Sequence, residues 1–160
     1  MSERVYRTMD KTAWGEGPWQ DEPDKIQWTD AVTGLPCMAK RNRMGVLCGY
    51  VGVAEGHPFF GKGYDDVPLD AHGGLSYADA CQAPDEGMTP EEAEAKLICH
   101  VPEPGQPDHV WWFGFDCGHG MMDFYPAAPD MNIIPQATYK TLGYVRAQCR
   151  LLAAQLAVAA

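Results

Sequence analysis

The sequence predicts an α+β domain: a small, mostly antiparallel sheet built from two hairpins, with a long C-terminal helix packed on one face. Three observations carry this expectation. Two pairs of apolar runs are each joined by a short polar connection containing glycine. Leu142, Val145, Cys149, Leu152 and Leu156 recur at spacings of three and four, the stripe of an amphipathic helix. The chain has 160 residues, which suits one domain around one core.

Each element follows in order. Residues 1–27 carry Trp14 and Trp19 among glycines, prolines and acids, with neither a helical nor a strand period. They are expected to form an extended arm, poorly ordered at its start, that pins aromatics onto a single domain of residues 28–160. LPCMAK and VLCGYVGV flank the connection RNRMG, which is longer than a two-residue turn, and form the first hairpin. Lys40, Arg41 and Arg43 there read as a solvated turn. Residues 54–74 hold five glycines and two prolines, which makes a long loop. LSYA (75–78) follows as a short strand. Thr89-Pro90-Glu91-Glu92 is a helix start, with Thr at the cap, Pro at the first position and Glu placed for a capping box. The short acidic helix EEAEAKL follows. LICHV (97–101) and VWWFGF (110–115) form the second hairpin. Residues 118–135 are rich in Gly, Met and Pro and should be irregular. From there the chain is expected to be helical to its end.

Composition excludes several classes. Hydrophobic residues are 46% of the chain, and five Trp, seven Tyr and five Phe can build a core, so this is no disordered acidic tail. No run of 18 apolar residues exists, so no membrane-spanning helix is expected. Twelve Lys and Arg against 22 Asp and Glu give a net charge of −10. Direct nucleic-acid binding is disfavoured, because it draws on a basic face. The start, MSERVYRTMDK, has no apolar leader segment, so a cytoplasmic location is expected. None of the six cysteines forms a CxxC pair. They are expected to be reduced, most of them packing as small hydrophobes.

Three segments carry chemistry-bearing residues. FDCGH (115–119) ends the strongest strand and brings Asp116, Cys117 and His119 within four residues. On an extended chain Cys117 and His119 share a face. An imidazole beside a thiol lowers its pKa and makes it nucleophilic. AHGGLS (71–76) sets His72 before Gly73 and Gly74, whose backbone amides suit an anion or an oxyanion. GHPFFGKGYDD (56–66) offers His57, Lys62, Tyr64 and Asp65 in a Gly-rich loop. Its Gly61-Lys62-Gly63 lacks the Ser or Thr of a phosphate loop. One of Trp111 and Trp112 must be core, and Trp112 is a candidate pocket wall. The zinc-deaminase and H-E-x-x-H signatures are absent, and no cofactor or metal is expected from any complete motif. A metal site drawn from Cys81, Cys99, His100, Cys117 and His119 remains an alternative.

The chain resembles a family of small phage- and prophage-encoded proteins that has no established activity. The resemblance rests on LCGYVGV with GHPxxGKxYDD (47–66), HGGLS (72–76), ICHVPxPG (98–105), WWFGFDCxH (111–119) and YVRAxC (144–149). It spans about residues 28–150. The family pattern continues after the histidine with a short Gly-Asp-x-x-Pro, whereas here Gly120 to Pro126 intervene. The resemblance implies a mobile-element accessory protein in the host cytoplasm.

Two functions follow as expectations. The first is binding of a host protein or a small molecule through the Gly, His and aromatic loops, with His57, Lys62, Tyr64, Asp65, Gly73, Gly74 and Trp112 in contact. The second is a small hydrolase or transferase. Cys117 would be its nucleophile, His72 or His119 the base, Asp116 or Asp123 the orienting carboxylate, and the Gly73-Gly74 amides the oxyanion hole.

Overall fold

The computed structural model describes residues 3–120 and 122–160. Residues 1–2, where the sequence reading expected poor order, lie outside it. The fold is α+β. Six strands form one antiparallel sheet: β1 (Arg4–Tyr6), β2 (Lys25–Thr29), β3 (Pro36–Arg41), β4 (Leu47–Ala54), β5 (Tyr77–Ala80) and β6 (Val110–Asp116). Their order is β1-β2-β3-β4-β6-β5. A short helix α1 (Pro90–Lys96) lies in the β5–β6 connection, and α2 (Leu142–Ala159) closes the chain.

The first hairpin forms as the pattern predicts, with Cys37 opposite Val51 and Arg41 opposite Leu47. Its turn is built by Asn42, whose side-chain oxygen accepts from the Met44 and Val46 amides at 3.0 and 3.4 Å. Gly45 supplies the positive φ of +89° that closes it. Alternation then sorts the side chains. Cys37, Ala39, Val51, Val53, Phe113 and Phe115 face α2, while Met38, Tyr50 and Trp112 face the opposite layer. The α2 stripe lands as expected: Val145, Cys149, Leu152 and Leu156 are fully buried. Each such aliphatic side chain is worth about 1.5–3 kcal/mol of burial. The helix approaches closely because Gly49 of β4 has no side chain, and a Cβ there would run into the Phe115 ring and Cys149 Sγ. It starts at Leu142, where the apolar stripe begins, rather than directly after Pro135 as expected. Thr141 caps it by accepting from Tyr144 N, and the Glu22 carboxylate takes the Leu142 amide at 2.7 Å.

Four expectations are corrected. The N-terminal segment is part of the sheet rather than an arm, since β1 and β2 pair with each other and β2 pairs with β3. Trp19 is buried against Phe124 and Tyr139. The second hairpin does not form, because β6 pairs with β4 and β5. Residues 97–101 are held by side chains instead: Gln27 exchanges hydrogen bonds with Val101 in both directions, and Lys25 Nζ donates to the carbonyls of Glu94, Leu97 and Cys99. Arg41 is not on a solvated turn. It is buried to 1% exposure and paired with Asp24 at 3.0 Å and Glu22 at 3.3 Å. Finally, Cys81 and Cys99 form a disulfide.

The remaining cysteines make the fold alkali-sensitive. Burial pushes the Cys37 thiol up to about 12 and raises Cys117 and Cys149 as well. Above the unfolded thiol pKa the unfolded chain sheds protons that the folded state retains. Stability is therefore whole below about pH 9 and falls as pH rises toward 12. The urea midpoint should drop between about pH 9 and 10.5, and Cys37→Ala should shallow that drop. A midpoint constant across this range overturns the expectation.

Candidate functional site

Three segments far apart in sequence meet where β6 ends. Strand β6 ends on Asp116, which is paired with Cys48, and delivers Cys117 and His119 just beyond it. The Gly73-Gly74 turn delivers His72, and the first turn of α2 delivers Tyr144. Asp123 closes the 119–123 loop: its carboxylate accepts from His119 N at 2.9 Å, while its own amide donates to His119 O at 2.8 Å.

The centre of the site is the His72 imidazole. Its Nε2 lies 2.8 Å from Asp123 Oδ2 and its Nδ1 lies 2.7 Å from the Tyr144 hydroxyl. The Asp123 carboxylate is fully buried and also pairs with Lys140 Nζ at 3.1 Å. It accepts from three sides, so Nε2 of His72 carries the proton and Nδ1 faces the Tyr144 hydroxyl. The result is a fixed line of carboxylate, imidazole and phenol. Burial, and then the Asp123 charge, raise the Tyr144 pKa, so the phenol keeps its proton at neutral pH.

His119 lies next to this line, its ring 5.6 Å from that of His72. Its Nε2 is buried with no hydrogen-bond partner and sits 3.6 Å from Asp116 Oδ1. The ring rests directly on Gly73, where any Cβ would overlap it. Gly73 also has φ of +68°, so both geometry and space demand glycine. The Gly74 amide is engaged by Ala71 O at 2.9 Å, and the Gly73 amide has no hydrogen-bond partner among the described residues.

The structure thus brings together His72, His119, Asp116, Gly73 and Gly74, with Asp123 as the orienting carboxylate. It also brings Cys117 near, with its thiol enclosed. Cys117 is 1% exposed, and Sγ makes no hydrogen bond to His72 or His119 among the described residues. Burial raises its pKa, and Asp123, Cys48 and Asp116 push it further. An enclosed thiol with no base in contact argues against the nucleophile role. The Gly74 amide is also spent, so the paired-amide oxyanion hole does not exist.

The other predicted contacts lie elsewhere. His57 is structural: Nδ1 accepts from Phe59 N at 3.0 Å, which leaves Nε2–H to donate to Leu156 O at 2.8 Å. Lys62, Tyr64 and Asp65 are exposed on their loop. The Lys62 carbonyl accepts from Trp111 Nε1 at 2.9 Å, with Phe60 against the same indole. Trp112 lines no pocket there, being fully buried on the opposite face beside His100. Sequence reasoning missed Lys140 and Tyr144. No spacing signal existed for either, since Tyr144 stands 72 residues from His72. No family model matches the chain, and neither a curated protein nor a solved structure matches it.

Proposed function

We propose that the chain is a phage or mobile-element accessory protein that binds a small hydrogen-bond-accepting group at His119 and Gly73, beside Tyr144. That group is a carboxylate or carbonyl, carried by a small molecule or presented by a host protein. One observation carries the reading: His119 Nε2 is an unpartnered polar atom set against Gly73, beside an otherwise satisfied Asp123–His72–Tyr144 line. Buried polar groups without partners are few in folded proteins, and one at the edge of a preorganised network marks an open valence. The Gly73 amide adds a second free donor.

The mobile-element origin rests on the sequence resemblance. No helix of the described residues is long and apolar enough to cross a membrane. In a cytoplasm the Cys81–Cys99 pair would face reducing conditions.

The test is an imidazole NMR titration with acetate, acetamide and inorganic phosphate. At least one probe should shift the His119 and His72 ring signals together, saturating at about 1 mM as suits a fragment. The shift should vanish from His72 in His119→Ala with the fold intact by circular dichroism. No movement of His119 with any probe overturns the reading.

A further inference from the structure

A second cluster, separate from the His72 line, lies on the opposite face of the sheet. Cys81 follows β5, and Cys99 and His100 follow α1. One ligand atom from each of Cys81, Cys99 and His100 falls within 4.8 Å of the others. Two sulfurs and an imidazole at that separation are the donor set of a thiophilic cation. The sequence alternative that also drew on Cys117 and His119 splits here, because those two belong to the other site.

The surroundings are built for such a set. His100 is 8% exposed, and neither of its ring nitrogens has a hydrogen-bond partner. Its ring stands edge-on to Trp112, with centroids 5.1 Å apart. An imidazole enclosed with both nitrogens unsatisfied is rare unless something else uses a lone pair. Trp112 Nε1 donates to Cys81 Sγ at 3.3 Å, an outer-shell contact that suits a thiolate. Lys25 Nζ donates to the Cys99 carbonyl at 2.9 Å and brings a positive charge to the cluster. Gln82 locks the two segments together: its amide donates to Ile98 O, and its side-chain oxygen accepts from Ile98 N. A cavity of about 170 Å³ opens beside Cys99 and His100, lined also by Gln82 and Glu94. It has room for a water as fourth ligand.

We propose that Cys81, Cys99 and His100 form a redox-gated zinc site: metal-free as the disulfide, and zinc-binding once the disulfide is reduced. The chemistry balances. A dithiol reductant supplies two electrons and two protons, the S–S bond breaks, and the reductant leaves as its own disulfide. Zn²⁺ then displaces the two thiol protons to solvent and takes a lone pair from neutral His100. A small-molecule disulfide reverses the step: it accepts the two electrons and two solvent protons, leaves as two thiols, the Cys81–Cys99 bond re-forms and Zn²⁺ is released.

The experiment uses the full chain and Co²⁺ as the spectroscopic stand-in for Zn²⁺. Protein is reduced anaerobically with a water-soluble phosphine, which takes oxygen from water to become the phosphine oxide, and the phosphine is removed. Reduced protein should bind one equivalent of Co²⁺, with a sulfur-to-cobalt charge-transfer band and intense tetrahedral d–d bands. Zn²⁺ should bleach both. The oxidised protein should show neither. Cys81→Ser/Cys99→Ser should abolish the charge-transfer band, and His100→Ala should weaken binding about tenfold or more. A second readout needs no variant: Zn²⁺ should slow iodoacetamide labelling of reduced Cys81 and Cys99, mapped by mass spectrometry. Absence of a charge-transfer band in the reduced wild-type chain overturns the proposal. So does a band that survives in the double variant, since it would then belong to Cys37, Cys48, Cys117 or Cys149. Unprotected labelling of Cys81 and Cys99 in the presence of Zn²⁺ overturns it equally.

Discussion

Arg41→Met is expected to cost about 3 kcal/mol, at the low end of the 3–5 kcal/mol that follows from breaking a buried ion pair at one partner. The guanidinium is fully buried and makes five polar contacts. It donates to Asp24 at 3.0 Å, Glu22 at 3.3 Å, Gly45 O at 2.8 Å, the Tyr139 hydroxyl at 2.8 Å and Pro23 O at 3.2 Å. Its acidic partners decide the magnitude. Asp24 keeps Lys11 at 2.9 Å and the amides of Thr8 and Met9 when Arg41 is lost. Glu22 keeps Tyr139 and the Leu142 amide. Neither carboxylate is stranded, so the loss falls mainly on the two carbonyls and the hydroxyl that the fork satisfied. For a chain of this length the melting temperature should fall by about 10 °C, measured by thermal unfolding at pH 7. Arg41→Lys should recover less than half, because an ammonium cannot span five acceptors arranged for a planar fork. A loss of under about 1 kcal/mol would mean that water replaces the fork at no cost.

Asp123→Ala is the second large effect, also about 3 kcal/mol, and it reaches the candidate site directly. The carboxylate is fully buried and satisfies His72 Nε2–H, His119 N–H and Lys140 at once. Alanine leaves His72 Nε2–H and the His119 amide without an acceptor, while Lys140 keeps Met122 O, Thr138 O and Thr138 Oγ1. Asp123→Asn retains the shape but turns an NH₂ toward groups that are themselves donors, so it should rescue little. The measurement separates structure from site. Urea unfolding gives the stability loss. The His72 Nε2–H proton, held downfield by the carboxylate in the wild type, should disappear from the NMR spectrum in both variants. A normal His72 signal in Asp123→Asn would show that Tyr144 alone orients the ring.

The local elements were legible because neighbours along the chain determine them. The RNRMG turn, the Thr89 cap and the stripe from Leu142 to Leu156 all formed where patterning placed them. Pairing partners were less legible. LICHV has the composition of a strand, yet Gln27 and Lys25 occupy its polar groups from β2, and that competition takes place 70 or more residues away. The same limit hid Arg41. A basic turn in sequence is usually solvated, and only the meeting of residues 22–24 with residues 41–45 buries it.

The candidate site divides the same way. Sequence alone determined that His72 precedes two glycines, that Asp116, Cys117 and His119 follow the strongest strand, and that an amphipathic helix ends the chain. It also determined the sulfur and imidazole content. The tertiary structure decided which of these act together. It placed Asp123, His72 and Tyr144 in one hydrogen-bonded line, buried the Cys117 thiol, and sent Trp112 and His100 to the opposite face beside Cys81 and Cys99. The reason is physical. Patterning sets which face a side chain takes, because it is read over a few residues. Hydrogen bonds, desolvation and metal-donor spacing depend on atoms within about 5 Å, and only the folded chain brings those together.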